Sequence, residues 1–157
     1  RRAPVAVPDR RIGPLAGILA ILAVPWSVQT FAGARPPGFV FAWGLVNFDP
    51  LSITFIWDFL FRYTTGLPEY ILAWPLSVLC YLLALVSALV GRVLGPESED
   101  ARVTAGLLAA AGVAQVTLAR GFSFQPGRTA WPLGTLACLA VAWWVYRARR
   151  REPTDRR

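Results

Sequence analysis

Histidine, lysine and methionine are absent from these 157 residues, and cysteine occurs only twice. Without histidine there is no Ser-His-Asp or Cys-His catalysis, no His-ligated metal or haem, and no imidazole proton relay. Cys80 and Cys138 lie far apart with no Cys-x-x-Cys spacing, which removes a thiolate metal site. Charge is scarce as well: 16% of residues are charged, against about 25% in a soluble domain. Apolar residues stand in its place, at 55% of the chain, with 7 Trp, 13 Gly and 13 Pro. All 16 basic residues are Arg, and the formal net charge is +7. With no Met at position 1, residues are expected to precede Arg1.

Four stretches carry no charge and approach the length that crosses about 30 Å of hydrocarbon. They run over residues 12–31, 70–90, 103–119 and 129–146. The first contains Pro14 and Pro25 and no small-x-small cleavage signal, so it reads as a retained helix rather than a signal peptide. The last ends in Trp143, Trp144 and Tyr146, which suit the headgroup level. Residues 39–57 are also apolar, but Asn47, Asp49 and Pro50 sit at their centre. A central Asp costs about 2.5–3.5 kcal/mol on insertion scales. Four spans place twelve of the sixteen arginines on one side and leave Arg35, Arg62, Arg120 and Arg128 on the other. The positive-inside rule then puts both termini, with the basic tail 147–157, in the cytoplasm. The expected fold is all-α. It is one polytopic membrane domain over 1–157, with four transmembrane helices and an interfacial or re-entrant helix between the first and second.

That outer-loop helix is expected over about 50–65. Asp49 and Pro50 read as a helix start, and Gly66 with Pro68 as a stop. On it, Thr54, Asp58 and Arg62 follow at i, i+4 and i+8 as a polar stripe on an apolar body. Asp58 and Arg62 are spaced to pair. Asp49, Asp58, Arg62, Glu69, Arg120 and Arg128 are the candidate residues of a polar pocket on the outer face, with Arg120 and Arg128 as its anion-binding part. Each also has a plainer role: a local ion pair for Asp58 and Arg62, snorkelling to lipid headgroups for Arg120 and Arg128.

Small residues recur at four-residue spacing in every span. Gly13 with Gly17, Ala16 with Ala20, Ala84 with Ala88, Gly106 with Ala110 and Ala114, and Gly134 with Cys138 and Ala142 predict close helix packing. Cys138 is thus expected as a small packing residue. Cys80, mid-span and without a nearby cation in sequence, is a poor nucleophile.

The runs FVFAWGLVNFDP at 39–50, WDFLFRYTTGLPEYILAWPL at 57–76, PWSVQTF at 25–31 and QPGR at 125–128 resemble a small family of haloarchaeal integral membrane proteins. The resemblance covers about Leu15 to Tyr146. Genes of that family lie near archaeosortase, the membrane enzyme that processes C-terminal sorting signals, and its own activity is uncharacterised. It implies a halophilic archaeal source and supplies no catalytic residues.

The function expected is that of a non-enzymatic accessory or scaffold of a membrane system, protein sorting included. The alternative is a small-molecule or lipid-binding carrier using the outer pocket. A third reading is a His-free membrane enzyme, with Asp49, Asp58 or Glu69 as general base. No cofactor or metal is expected. The expected partners are membrane lipids and another integral membrane protein. No nucleic acid is expected, since the arginines serve as topology anchors and no soluble domain presents them.

Overall fold

A computed structural model describes residues 12–62 and 65–150. The N-terminal arginines and residues 151–157 of the basic tail lie outside the described residues, as do Tyr63 and Thr64.

The expectation of an all-α, four-helix membrane fold is corrected. The described residues are mixed: they form five α-helices and a five-stranded antiparallel sheet. Helix α1 spans Ile12–Ala20, α2 Ile56–Phe61, α3 Ala73–Leu94, α4 Ala101–Ser123 and α5 Leu133–Arg150. The strands are β1 (Ser27–Phe31), β2 (Gly38–Val40), β3 (Gly44–Phe48), β4 (Leu51–Phe55) and β5 (Arg128–Trp131). They are ordered β4-β3-β2-β1-β5.

Two apolar stretches divide between helix and strand. Residues 12–31 are helical only as far as Ala20. Bonds from Leu22 N to Leu19 O (3.1 Å) and Ala23 N to Ala20 O (3.0 Å) then tighten the last turn. Pro25 cannot continue it, and Ser27–Phe31 enters the sheet between β2 and β5. The last stretch begins as β5 before Pro132, and its helix starts at Leu133. Charge-free length does not separate a membrane helix from a strand buried on one face, because both are apolar.

The outer-loop helix over 50–65 is likewise corrected. Asp49 and Pro50 form the two-residue turn of a hairpin that pairs Phe48 with Leu51 and Gly44 with Phe55. Leu51, Ile53 and Phe55 alternate with Ser52 and Thr54, the period of a strand. Thr54 therefore lies on β4, and only Asp58 and Arg62 of the proposed stripe belong to α2 and its end.

The other two helices agree closely with the sequence. After Pro68 a 3₁₀ turn over Glu69–Leu72 leads into α3, whose first turn accepts Pro75 because that N–H has no intrahelical partner. Gly95, at φ +106°, ends α3 where an L side chain is strained. Asp100 caps α4, its carboxylate accepting from Arg102 N at 2.8 Å.

Helix α4 is central, packed against α3 on one side and α5 on the other. Several small-residue seams lie where expected: Ala84, Ala88, Gly134, Cys138 and Ala142 are all buried. Gly13 and Gly17 lie under the Trp144 ring. Others do not: Ala16, Ala20, Gly106 and Ala110 face outward. On α4 the inward face is Thr104, Leu108, Ala111, Gln115 and Leu118 instead.

The sheet caps the end of the bundle where α3 begins and α4 ends. Val40 and Ala130 from the sheet meet Trp74, Leu118, Ala119 and Phe122. Three indole N–H groups hold the parts together. Trp26 donates to Ile21 O (3.2 Å), Trp43 to Leu22 O (3.1 Å) and Trp74 to Phe41 O (3.1 Å). At the far end, Arg149 donates to Pro96 O at 2.8 Å and lies 3.5 Å from the Glu99 carboxylate. The α3–α4 loop is thereby tied to the last turns of α5.

Candidate functional site

The six candidate residues do not gather into one pocket. Asp49 is exposed in the β3–β4 turn, Glu69 is exposed where the 3₁₀ turn begins, and Arg120 is exposed in the last turn of α4. Among the described residues none of these three takes part in an ion pair. Asp58 and Arg62 do meet, at 3.8 Å, with the Arg62 side chain 74% exposed. That distance exceeds a hydrogen bond, and water screens the pair. We expect Asp58→Ala, Arg62→Ala and the double variant each to lose under about 1 kcal/mol in a thermal melt in detergent. A loss several times larger in one single variant, recovered in the double, would show a buried pair instead.

Arg128 is different. It opens β5 directly opposite Phe31 of β1, half-buried, with its side chain on the sheet's inward face. Its Nη1 donates to Gln125 Oε1 at 2.9 Å and its Nη2 to Gln29 Oε1. The guanidinium lies 4.4 Å from the Phe122 ring centre and 5.3 Å from that of Phe31. Gln125 in turn donates to Tyr70 Oη at 3.1 Å. Arg35 stands 4.6 Å above the same Phe31 ring. Burial lowers the Arg128 pKa from its usual value; Tyr70 opposes that shift and Arg35 adds to it. A guanidinium nonetheless stays protonated at physiological pH.

Local sequence explains the geometry. Gln125-Pro-Gly-Arg turns the chain from α4 into β5, with Gly127 at φ +70° and Ala32 N donating to Gly127 O at 2.7 Å. Ser123, in the last turn of α4, receives Ala130 N at 3.1 Å and so fixes the start of β5 over the helix end. The β1–β5 register then sets Gln29 one diagonal step from Arg128 on the same face.

Sequence reasoning selected Arg128 and missed Gln29, Gln125, Tyr70, Phe31 and Phe122. One signal was present: the chain holds three glutamines, Gln29, Gln115 and Gln125, each in or beside an apolar stretch. Gln29 and Gln115 are almost fully buried. An uncharged amide escapes a search for charges, yet burial obliges it to find partners. Among the described residues no three His, Cys, Asp or Glu side chains are grouped as metal ligands.

Across residues 1–156 the chain matches the family described as "Domain of unknown function (DUF8050)", and it belongs to that family. No curated protein matches it.

Proposed function

We propose that this DUF8050 chain is a membrane-embedded, non-catalytic accessory protein whose helices sit in the bilayer and whose sheet caps them at one surface. The carrying observation is where the apolar side chains point. Residues 69–94 and 101–123 are long and apolar enough to cross a membrane, and only 33% and 39% of their most apolar windows are buried. A core helix of a water-soluble protein is mostly buried. Here Leu76, Leu79, Leu83 and Val86 of α3 and Leu136, Leu139 and Trp143 of α5 face outward. Apolar exposure of that extent on two helices calls for lipid or a partner. Arg92, Arg102, Arg147, Arg149 and Arg150 gather at the end away from the sheet, so the positive-inside rule assigns that end to the cytoplasm and the sheet to the outside.

The accessory role draws on the sheet. Strand β4 is an edge, and Leu51, Ile53 and Phe55 on it are exposed. An extended segment of another membrane protein is suited to such an edge by strand addition. The resemblance to haloarchaeal proteins encoded near archaeosortase makes that sorting system the first partner to test.

The reading is checked by alkaline carbonate extraction and by labelling. With Cys80 and Cys138 replaced by alanine, Ser52→Cys and Glu97→Cys are expected to react with an impermeant maleimide from opposite sides of sealed vesicles. Release of the protein by carbonate, or labelling of both sites from one side, would defeat it.

A further inference from the structure

Among the described residues, four buried side-chain polar atoms have no hydrogen-bond partner: Arg128 Nε, Gln29 Nε2, Ser27 Oγ and Gln115 Oε1. They are not scattered. Ser27 and Gln29 alternate on the inward face of β1, about 6.6 Å apart by strand rise. Arg128 bonds the Gln29 amide oxygen from β5. Gln115 reaches the start of β1 from α4, its amide oxygen crowding Gly134 beside Trp26. Each orphaned buried group is costly, and native interiors hold few of them. Reversing the Gln29 amide does not relieve the cost. Arg128 carries donors only, so the oxygen must face it and the NH₂ is left over.

Charge at the outer end of this line is equally unmatched. Arg128 and Arg35 share the Phe31 ring, and among the described residues no carboxylate pairs with either. Glutamine carbonyls and aromatic rings solvate a guanidinium without neutralising it. Two cations held together, with spare N–H donors between sheet and helix, complement an oxyanion.

We propose that Arg128, Gln29 and Arg35 form a binding site for a phosphate group. Arg128 Nε and its neighbouring Nη present the planar fork that suits two phosphate oxygens. Gln29 Nε2, held in place by the bond from Arg128 to its own oxygen, donates a third bond. Phe31 and Phe122 brace the guanidinium and exclude water, which strengthens each of these contacts. Arg35, exposed beside Phe31, adds charge at the mouth. Ser27 and Gln115 continue the polar line inward. The phosphate has two sources: a lipid headgroup or free phosphate. The headgroup source rests on the membrane reading proposed above; the site itself does not.

The test uses the full chain in a phosphate-free glycoside detergent and follows tryptophan fluorescence on heating. Three additions are compared: inorganic phosphate, phosphatidylglycerol, and a galactosyl diglyceride that lacks phosphate. A saturable rise in melting temperature with inorganic phosphate identifies a free-phosphate site. A rise with phosphatidylglycerol, but with neither inorganic phosphate nor galactolipid, identifies a headgroup site. Arg128→Gln is expected to weaken the response tenfold or more, about what loss of a charge-assisted hydrogen bond produces. Arg35→Gln, at an exposed position that leaves the fold intact, is expected to weaken it about threefold. The proposal is overturned if neither phosphate source shifts the melt, if galactolipid acts as well as phosphatidylglycerol, or if both variants respond like wild type. Should Arg128→Gln fail to fold, the wild-type titrations and Arg35→Gln still decide. Carbonate extraction reports on the membrane reading separately, so its failure leaves a response to inorganic phosphate standing.

Discussion

Trp26→Ala is expected to cost about 3–5 kcal/mol, the range for removing a large buried aromatic side chain. Trp26 is 1% exposed and lies where α1, the sheet and α5 converge. Its indole N–H donates to Ile21 O and its ring meets Tyr81 edge-on at 5.7 Å. Tyr81 in turn donates its hydroxyl to Ile18 O at 2.7 Å. Truncation therefore opens a cavity and frees the end of α1 together. In a chain of this size the melting temperature is expected to fall by about 10 °C or more. Trp26→Phe keeps most of the volume and loses only the N–H bond, so about 1–2 kcal/mol is expected. Circular dichroism melts in detergent give both values. A melt within about 2 °C of wild type for the alanine variant would mean that Trp26 does not join these elements.

Gly134→Ala is the second change with a large expected effect. A methyl group at this position meets the Gln115 amide oxygen and stands 2.7 Å from Trp26 Cα and 2.9 Å from Trp26 Cβ. A side-chain end can swing aside; a backbone Cα held just ahead of β1 cannot do so cheaply. The same glycine donates its N–H to Trp26 O at 2.9 Å, so retreat of α5 would stretch that bond as well. Overpacking of this kind costs about 1–3 kcal/mol, and backbone on the opposing side puts the expectation at the upper end. Gly106→Ala is the control, because a methyl there meets nothing within 4 Å. It is expected to be neutral or slightly stabilising, since Ala is the better helix former by about 1 kcal/mol. Equal melts for the two variants would refute the close approach of α5 to the start of β1.

The sequence by itself determined the long helices. The charge-free runs over 70–90 and 103–119 place α3 and α4 to within a few residues, because apolar length is a local signal, whereas the ends at Gly95 and Asp100 came from the structure. The seam of Gly134, Cys138 and Ala142 was legible for the same reason: four-residue spacing aligns side chains on one helix face. The absence of histidine likewise excluded whole classes of chemistry without any structure. Only the tertiary structure decided that residues 27–55 and 128–131 form a sheet. Its strands are three to five residues long and mostly apolar, and β1 pairs with a strand about a hundred residues away. No window of sequence contains that pairing. The alternation of Ser52 and Thr54 with Leu51, Ile53 and Phe55 was visible, but an apparent cap at Asp49-Pro50 competed with it. The candidate site divided along the same line. Arg128 stood out by charge, whereas Gln29, Phe31 and Phe122 gained their meaning when the β1–β5 register laid them against one guanidinium. A charge announces itself in sequence; a buried amide acquires a role only from the partners that folding brings to it.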